Sequence, residues 1–352
     1  MRIAVIADPG PEWDAFVETE PAGQLGHASA WARVVHEAYG LTPVYLEARD
    51  ERGAIAGILP LVEFRGLSAN LELVSMPFLD SGGILARDPA TERALLEAAL
   101  EEARARGARV LELREIARDE KAGAAEGGVE EPEQTRVDLV MALESDEDAQ
   151  WRALRAKVRN QTRKAESEGL TIAPRNQTGL LAEFYRPFCR NMRDLGSPVH
   201  AERFFSAAAE AFGDRLRFVV TRLGSKPVGG LVAIDFAGAV TVPWASTLRE
   251  ERRRCPNNQI YWEALRWAIE RGAREFDFGR SPIGGGTYRF KRGWGAEERP
   301  LAWKRLDSQG KRLAPKAAGD SASLRRLSAI WSRLPVWVTT RLGPPLRRRI
   351  SS

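Results

Sequence analysis

RLRFVVTRLGSKPVGGLVAIDFAGAVTVPWAS, residues 215–246, decides the fold. Its apolar runs RLRFVVTRLG, KPVGGLVAIDFAG and AVTVPWAS are separated by short glycine-containing turns, which predicts three antiparallel neighbours. NQIYWEALRWAIERG then reads as a helix, and REFDFGRS as a strand ending in a turn. A meander, a crossing helix and one more strand make an α/β unit. No G-x-G-x-x-G follows a first strand, so a dinucleotide-binding unit is not expected.

Working outward, residues 150–168 read as one helix, LTIAPR as a strand, and 179–195 as a helix containing Phe184, Tyr185, Phe188 and Met192. Downstream, LAWKRL reads as the last strand. The first half uses the same grammar. A helix around Trp31, Val34, Val35 and Ala38 ends near Gly40, and TPVYLEAR and IAGILPLVEFRG form two strands about the turn at 49–53. LELVSM is followed by the turn-rich PFLDSGG, and 90–107 forms an amphipathic helix closing at Gly107. ARVLELREI is a buried-type strand, 118–133 an exposed loop, and RVDLVMAL the next strand before an acidic junction at 144–148. The two halves repeat in pattern, which implies duplication.

At 352 residues the chain exceeds one ordinary core. Hydrophobic content of 43% with 29% charged residues is that of a globular protein. Cys189 and Cys255 lie far apart, without C-x-x-C spacing, and only His27, His36 and His200 are present. That leaves little for a metal site, a disulfide framework or a Ser-His-Asp triad, and it fits a reducing compartment. MRIAVIADPG is too short and too early broken for a signal peptide, and no run approaches the ~20 apolar residues of a span. A cytoplasmic location is the resulting expectation.

The net charge of +5 is unevenly placed: from Lys311 onward there are ten bases against Asp320 alone. Leu324, Leu327, Ile330, Trp331, Leu334 and Trp337 recur there at mostly helical spacing, with Arg325, Arg326 and Arg333 between them. Pro335 should break or kink the helix. Such a segment is either an interfacial element for anionic membrane or a helix docked on the protein body.

The densest chemical candidate is DFGRSPIGGGTYRFKRGWG, 277–295. A strand ends at 277–279 with Arg280 behind it, and Gly284–Gly286 allow close backbone approach to a ligand. Lys291 follows, flanked by Tyr288, Phe290 and Trp294. A cation framed by aromatics can stabilise an oxyanion or neutralise a phosphate; the alternative is a glycine-rich hairpin with the lysine reaching water. Arg152, Arg155, Arg159, Arg163 and Lys164 form a basic stripe on the 151–168 helix, either an anion site or a solvated face. In RRCPNNQIYW, Asn257 and Asn258 stand where a glycine loop would wrap a pyrophosphate, and an asparagine there can cap the helix. His200 reads as structural or as a proton shuttle.

TYRFKRGWG resembles the F/Y-x-F-K-x-x-F/W-G signature of the FemAB family of aminoacyl-tRNA-dependent transferases, which build peptidoglycan cross-bridges. LRAKVRNQTRKAESEGLTI, LGSPVHAERFF, PNNQIYWEALRWAIERGAREFDFGRS and LVSMPFLDSGGIL resemble further pieces of that family in the same order, over roughly residues 30–305. The blend is similar to FemAB-like proteins found near exopolysaccharide and exosortase systems. The resemblance implies an α/β chain of two GNAT-like (acyl-CoA N-acyltransferase-like) domains in tandem with mixed central sheets. They would span 1–145 and 146–310, with a basic amphipathic tail at 311–352. It implies that Lys291 steadies the acyl-transfer intermediate in a pocket shaped by Tyr288, Phe290 and Trp294, and that Asp80 positions substrate. Arg159 and Asn160 belong to the recognised motif, and Arg280, Asn258 and Tyr261 complete the expected substrate-binding set. The implied function is transfer of an activated acyl or aminoacyl group to an amine of a peptidoglycan or exopolysaccharide precursor. The donor would be aminoacyl-tRNA or acyl-CoA as co-substrate, with no metal and no tightly bound cofactor. The protein would be cytoplasmic, touching the inner membrane face through its tail. Two alternatives stand beside this: an acyl-CoA-dependent N-acyltransferase, and a non-catalytic module binding an envelope glycan or lipid intermediate.

Overall fold

The structure, a computed structural model, describes residues 1–67, 69–117, 136–314 and 322–351. The loop expected at 118–133 lies outside them, as do Lys316, Asp320 and the side chain of Leu324. In chain order the elements begin β1 (Arg2–Ile6), α1 (Pro11–Thr19), α2 (Ala30–Tyr39), β2 (Thr42–Arg49), β3 (Ile55–Arg65) and β4 (Leu71–Ser75). β5 (Leu85–Ala86), α3 (Pro89–Ala105), β6 (Val110–Ile116), β7 (Arg136–Ala142), α4 (Glu147–Ala153), α5 (Ala156–Ser167) and β8 (Leu170–Ile172) follow. Next come α6 (Leu180–Asp194), α7 (Glu202–Phe212), β9 (Leu216–Leu223), β10 (Lys226–Phe236), β11 (Ala239–Thr247) and α8 (Pro256–Glu270). The chain closes with β12 (Glu275–Asp277), β13 (Ser281–Pro282), α9 (Gly286–Gly293), β14 (Glu297–Leu306), α10 (Ala322–Trp331) and α11 (Val336–Arg347).

Two compact units result, each discontinuous in sequence. Unit 1 comprises Met1–Asp138, Glu298–Ala318 and Arg348–Ser352; unit 2 comprises Leu139–Glu297 and Gly319–Arg347. Both follow one plan. In unit 1, β1, β2, β3 and β4 are successive antiparallel neighbours, and α3 crosses to β6, which pairs in parallel with β4. In unit 2, β8, β9, β10 and β11 repeat that meander, and α8 crosses to β12, parallel to β11. These are the mixed sheets of an α/β chain in two GNAT-like halves.

The sixth strand of each unit differs from the sequence expectation. RVDLVMAL, read with the first half, forms β7 and pairs antiparallel with β12 of unit 2, Phe276 opposite Met141. LAWKRL, read with the second half, falls in β14 and pairs with β6 of unit 1, Trp303 opposite Arg114. The boundaries near 145 and 310 are displaced accordingly. Each strand carries a hydrophobic pattern that satisfies either sheet edge, so only tertiary pairing chooses between them.

The cores follow from the patterning. In unit 1, α3 starts at Pro89, capped by Asp88 accepting from the Ala90 and Thr91 N–H groups, and ends before Gly107 at φ +70°. It seals Leu95 and Ala99 against Leu46, Leu59, Leu73 and Leu111. In unit 2 the core is aromatic: Phe184, Phe188, Phe205 and Trp244 meet in stacked or edge-on pairs 5.2–5.4 Å apart.

The basic tail is not a free appendage. It breaks at Pro335 into α10 and α11. Arg193 donates to the Leu334 carbonyl at 3.1 Å, Ser328 Oγ to that of Leu195, and Gly343 is buried against Val199. Arg347 Nε donates to His200 Nε2 at 2.9 Å. Of the two readings left open, docking is what these contacts show. At the very end, the Ser351 carbonyl accepts from the Phe78 N–H and from Arg114 within unit 1.

Candidate functional site

β12 supports the site. Its parallel ladder with β11 runs only from Ala239 opposite Glu275 to Thr241 opposite Asp277, whereas β11 continues beside β10 to Thr247. The two chains part there. Asp277 Oδ1 accepts the Gly279 N–H at 2.7 Å, and Gly279 sits at φ +73°, so the strand ends in a tight turn that a Cβ would strain.

Lys291 closes this turn. TYRFKRG, expected either as part of a hairpin or as a pocket, is helical: α9 begins at Gly286 with Gly285 as its N-cap and Gly284 at φ +72° in the preceding turn. Lys291 is 7% exposed, and its ammonium donates to the Gly279 carbonyl at 2.8 Å and the Arg280 carbonyl at 3.2 Å. It therefore does not snorkel to water. The positive charge is held at the mouth of β12 by two carbonyl dipoles, which hold the ammonium in place.

The aromatic frame is partly as expected. Phe290 meets Tyr261 edge-on at 5.3 Å and Trp294 at 6.1 Å, while Tyr261 stacks on Phe278 at 5.5 Å. Tyr261 is buried, and burial holds its hydroxyl well above the ordinary range, so it stays neutral. Trp294 is buried with its indole N–H lacking a hydrogen-bond partner. Tyr288 and Arg280 are half-buried on the same segment.

The remaining residues fall elsewhere. The single helix expected over 151–168 is broken at Leu154, whose ψ of 142° is extended, into α4 and α5. The arginine stripe is split with it. Arg159 donates to the Arg152 carbonyl at 3.1 Å and Arg163 lies 5.3 Å from the Trp151 ring, so both hold α4 against α5. Asn160 is exposed on α5. Asn258 does not cap α8; Cys255 is the cap residue, in the left-handed region at φ 59°, with Pro256 at the first helical position. Asn258 is buried and reaches Gln161 of α5 at 3.5 Å. Burial raises the Cys255 and Cys189 thiols above their ordinary range, so neither is an activated nucleophile. His200 is stacked on Phe204 at 4.5 Å and fully buried, and burial with Arg347 beside it pushes its pKa well below 6.5. That is a structural histidine.

Asp80 belongs to unit 1, half-buried, its carbonyl accepting from the Trp303 indole at 2.9 Å. Its loop is organised by a residue that sequence reasoning passed over. Arg114 is fully buried in β6, pairs with Glu112 at 2.7 Å, donates to the Leu79 carbonyl at 2.8 Å and lies 4.3 Å from the Trp303 ring. An arginine inside the buried-type strand ARVLELREI was the available signal, since such a charge must find partners. Among the described residues no cluster of His, Cys, Asp or Glu is arranged to hold a metal.

Residues 152–292 match the family model Acetyltransf_6, described as an acetyltransferase (GNAT) domain. The matched segment lies within unit 2. The chain is also similar in fold to a FemX crystal structure, with a TM-score of 0.68 at 16% identity over 85% of this chain and 95% of that one. It is similar as well to L-PGS from Bacillus licheniformis, with a TM-score of 0.53, 12% identity, and coverage of 93% and 98%. A tandem GNAT protein from the clavulanic acid biosynthesis pathway matches at 0.53, with 13% identity and coverage of 90% and 99%. No curated protein matches the chain in a sequence comparison. The tandem GNAT-like architecture expected from the FemAB-like signature is thus present, and Lys291 and Asn258 lie within the matched domain.

Proposed function

We propose that this GNAT-type acyltransferase moves an activated acyl or aminoacyl group onto an amine of a cell-envelope precursor, with Lys291 as the catalytic cation. The observation carrying this reading is the buried ammonium clamped on the Gly279 and Arg280 carbonyls where β11 and β12 part. The acceptor amine attacks the donor's ester or thioester carbonyl carbon, forming a C–N bond and a tetrahedral oxyanion. Lys291 stabilises that oxyanion, the C–O or C–S bond breaks, and the amine proton leaves with the departing group or to water. Tyr288, Phe290 and Trp294 wall the donor's acyl group, and Arg280 and Asn160 serve the polar parts of the substrates.

The α8 N-terminus supports a donor other than acyl-CoA. Pro256 has no N–H to offer a pyrophosphate, and Asn258 is spent on Gln161. Aminoacyl-tRNA is therefore the favoured donor and a peptidoglycan or exopolysaccharide precursor the favoured acceptor. Against the acyl-CoA reading stands this helix start; in its favour stands the tandem GNAT protein, whose description names AcCoA.

The test combines Lys291→Met with a donor comparison. Purified protein is incubated with envelope precursors and either charged tRNA or acyl-CoA, and products are read by mass spectrometry. The variant should lose about 10²–10³-fold in kcat, the usual effect of removing one oxyanion stabiliser. Because two hydrogen bonds to the β12 turn go with it, a stability loss of about 1–3 kcal/mol should accompany that change. Wild-type turnover in the variant removes Lys291 from the mechanism. Acetyl-CoA binding near about −8 kcal/mol, a micromolar Kd, makes acyl-CoA the donor.

A further inference from the structure

The docked tail leaves one face unused. Leu327 is 61% exposed, Ile330 58% and Trp337 72% on α10 and α11, and Leu342 and Leu195 add 50% and 60% beside them. Leu195 belongs to this patch because its carbonyl accepts from Ser328 of α10. Buried large side chains are the rule elsewhere in unit 2, so an apolar surface of this size calls for a covering phase. On α11 the opposite side is already satisfied, with Thr339 and Gly343 buried, and just before it the Leu334 carbonyl accepts from Arg193. The outward face is therefore not a badly packed inner one.

Charge identifies what covers it. Residues 322–351 contain seven arginines and no Asp or Glu. Arg326, Arg333 and Arg341 are exposed alongside the apolar residues. Apolar side chains interleaved with unneutralised guanidinium groups fit the interface of an anionic bilayer, where arginines meet lipid phosphates and apolar tips enter the acyl boundary. A soluble protein partner of opposite charge would not require a protruding Trp and Leu set with arginine all around it. The neighbouring cleft of about 530 Å³, with Arg190, Arg193 and Arg249 at its rim, contributes less. Its Arg190 and Arg193 are spent on Glu250 at 2.8 Å and Asp194 at 2.7 Å.

We infer that the outer face of α10 and α11 is a peripheral docking surface for an anionic phospholipid bilayer, formed while the inner face holds the tail on unit 2. The inference is independent of the acyl chemistry. No described helix is long and apolar enough to cross a membrane, so contact is through the surface of the helices.

The test uses the full chain with vesicles of equimolar phosphatidylglycerol and phosphatidylcholine, and with phosphatidylcholine alone. Wild type should co-sediment with the anionic vesicles at low salt, and at least about tenfold less with neutral ones or at high salt. Trp337→Ser with Leu342→Ser, and separately Arg326→Gln with Arg333→Gln and Arg341→Gln, should each weaken binding about tenfold or more with unchanged thermal melts. Only exposed groups are altered, so folding is preserved. Wild type remaining in the supernatant with both vesicle types overturns the inference, as does full binding by either variant. A dimer seen by light scattering and dispersed by the Trp337 and Leu342 changes also overturns it, because the face then joins two copies of the chain.

Discussion

Lowering the pH should loosen unit 2 through a single buried ring. His200 is 1% exposed, stacked on Phe204, and its Nε2 accepts from Arg347 at 2.9 Å, which leaves the ring proton on Nδ1. Burial and the adjacent guanidinium hold its pKa well below 6.5. The unfolded chain takes up a proton near 6.5 while the folded one does not, so the unfolded state binds more protons below that pH. Stability is therefore intact above pH 6.5 and falls as the pH drops from there toward the folded value. Each pH unit in that window costs about 1.4 kcal/mol. Urea unfolding followed by tryptophan fluorescence at several pH values measures this directly. His200→Gln keeps an acceptor for Arg347 but cannot titrate, and its stability should lose that part of the pH dependence. Parallel pH profiles for the two proteins would refute the argument. The same protonation sets two cations face to face at the tail's seat, so proteolysis within α11 should rise over the same window.

Two further substitutions test packing. Gly343→Val places a Cβ 2.9 Å from Val199 Cγ1 and Val199 N, so α11 must lift; a melt lowered by about 1–3 kcal/mol and new protease sensitivity in the tail are expected. Glu112→Gln strips the buried partner of Arg114, which is 0% exposed at its side chain, and should cost about 3–5 kcal/mol by denaturant unfolding of unit 1.

Much of unit 2 was legible in the chain itself. The glycine turns between three apolar runs at 215–246 specify an antiparallel meander, because each run is long enough to pair and each turn too short to cross over. The aromatic-flanked Lys291 and the tandem plan were legible for similar reasons: both are local patterns. What failed was non-local or hidden in backbone geometry. The helix 151–168 has no proline or glycine at Leu154 to announce its break. Asn258 has the chemistry of a cap but sits past Pro256, where its side chain meets α5 instead of its own helix start.

The sequence by itself determined the α/β class, the repeated meander–helix–strand units, the signature lysine and the basic tail, since these depend on periodicity and residue type within short windows. Only the tertiary structure decided three other things. It assigned β7 to β12 and β14 to β6, a choice that similar hydrophobic patterns leave degenerate. It turned Lys291 onto two carbonyls, which depends on where β12 happens to stop. And it seated α11 against His200 and Val199, selecting which face of an amphipathic, arginine-rich helix meets protein and which is left outward. Periodicity marks an apolar stripe but carries no information about its partner; that is settled when distant segments compete for the same surface.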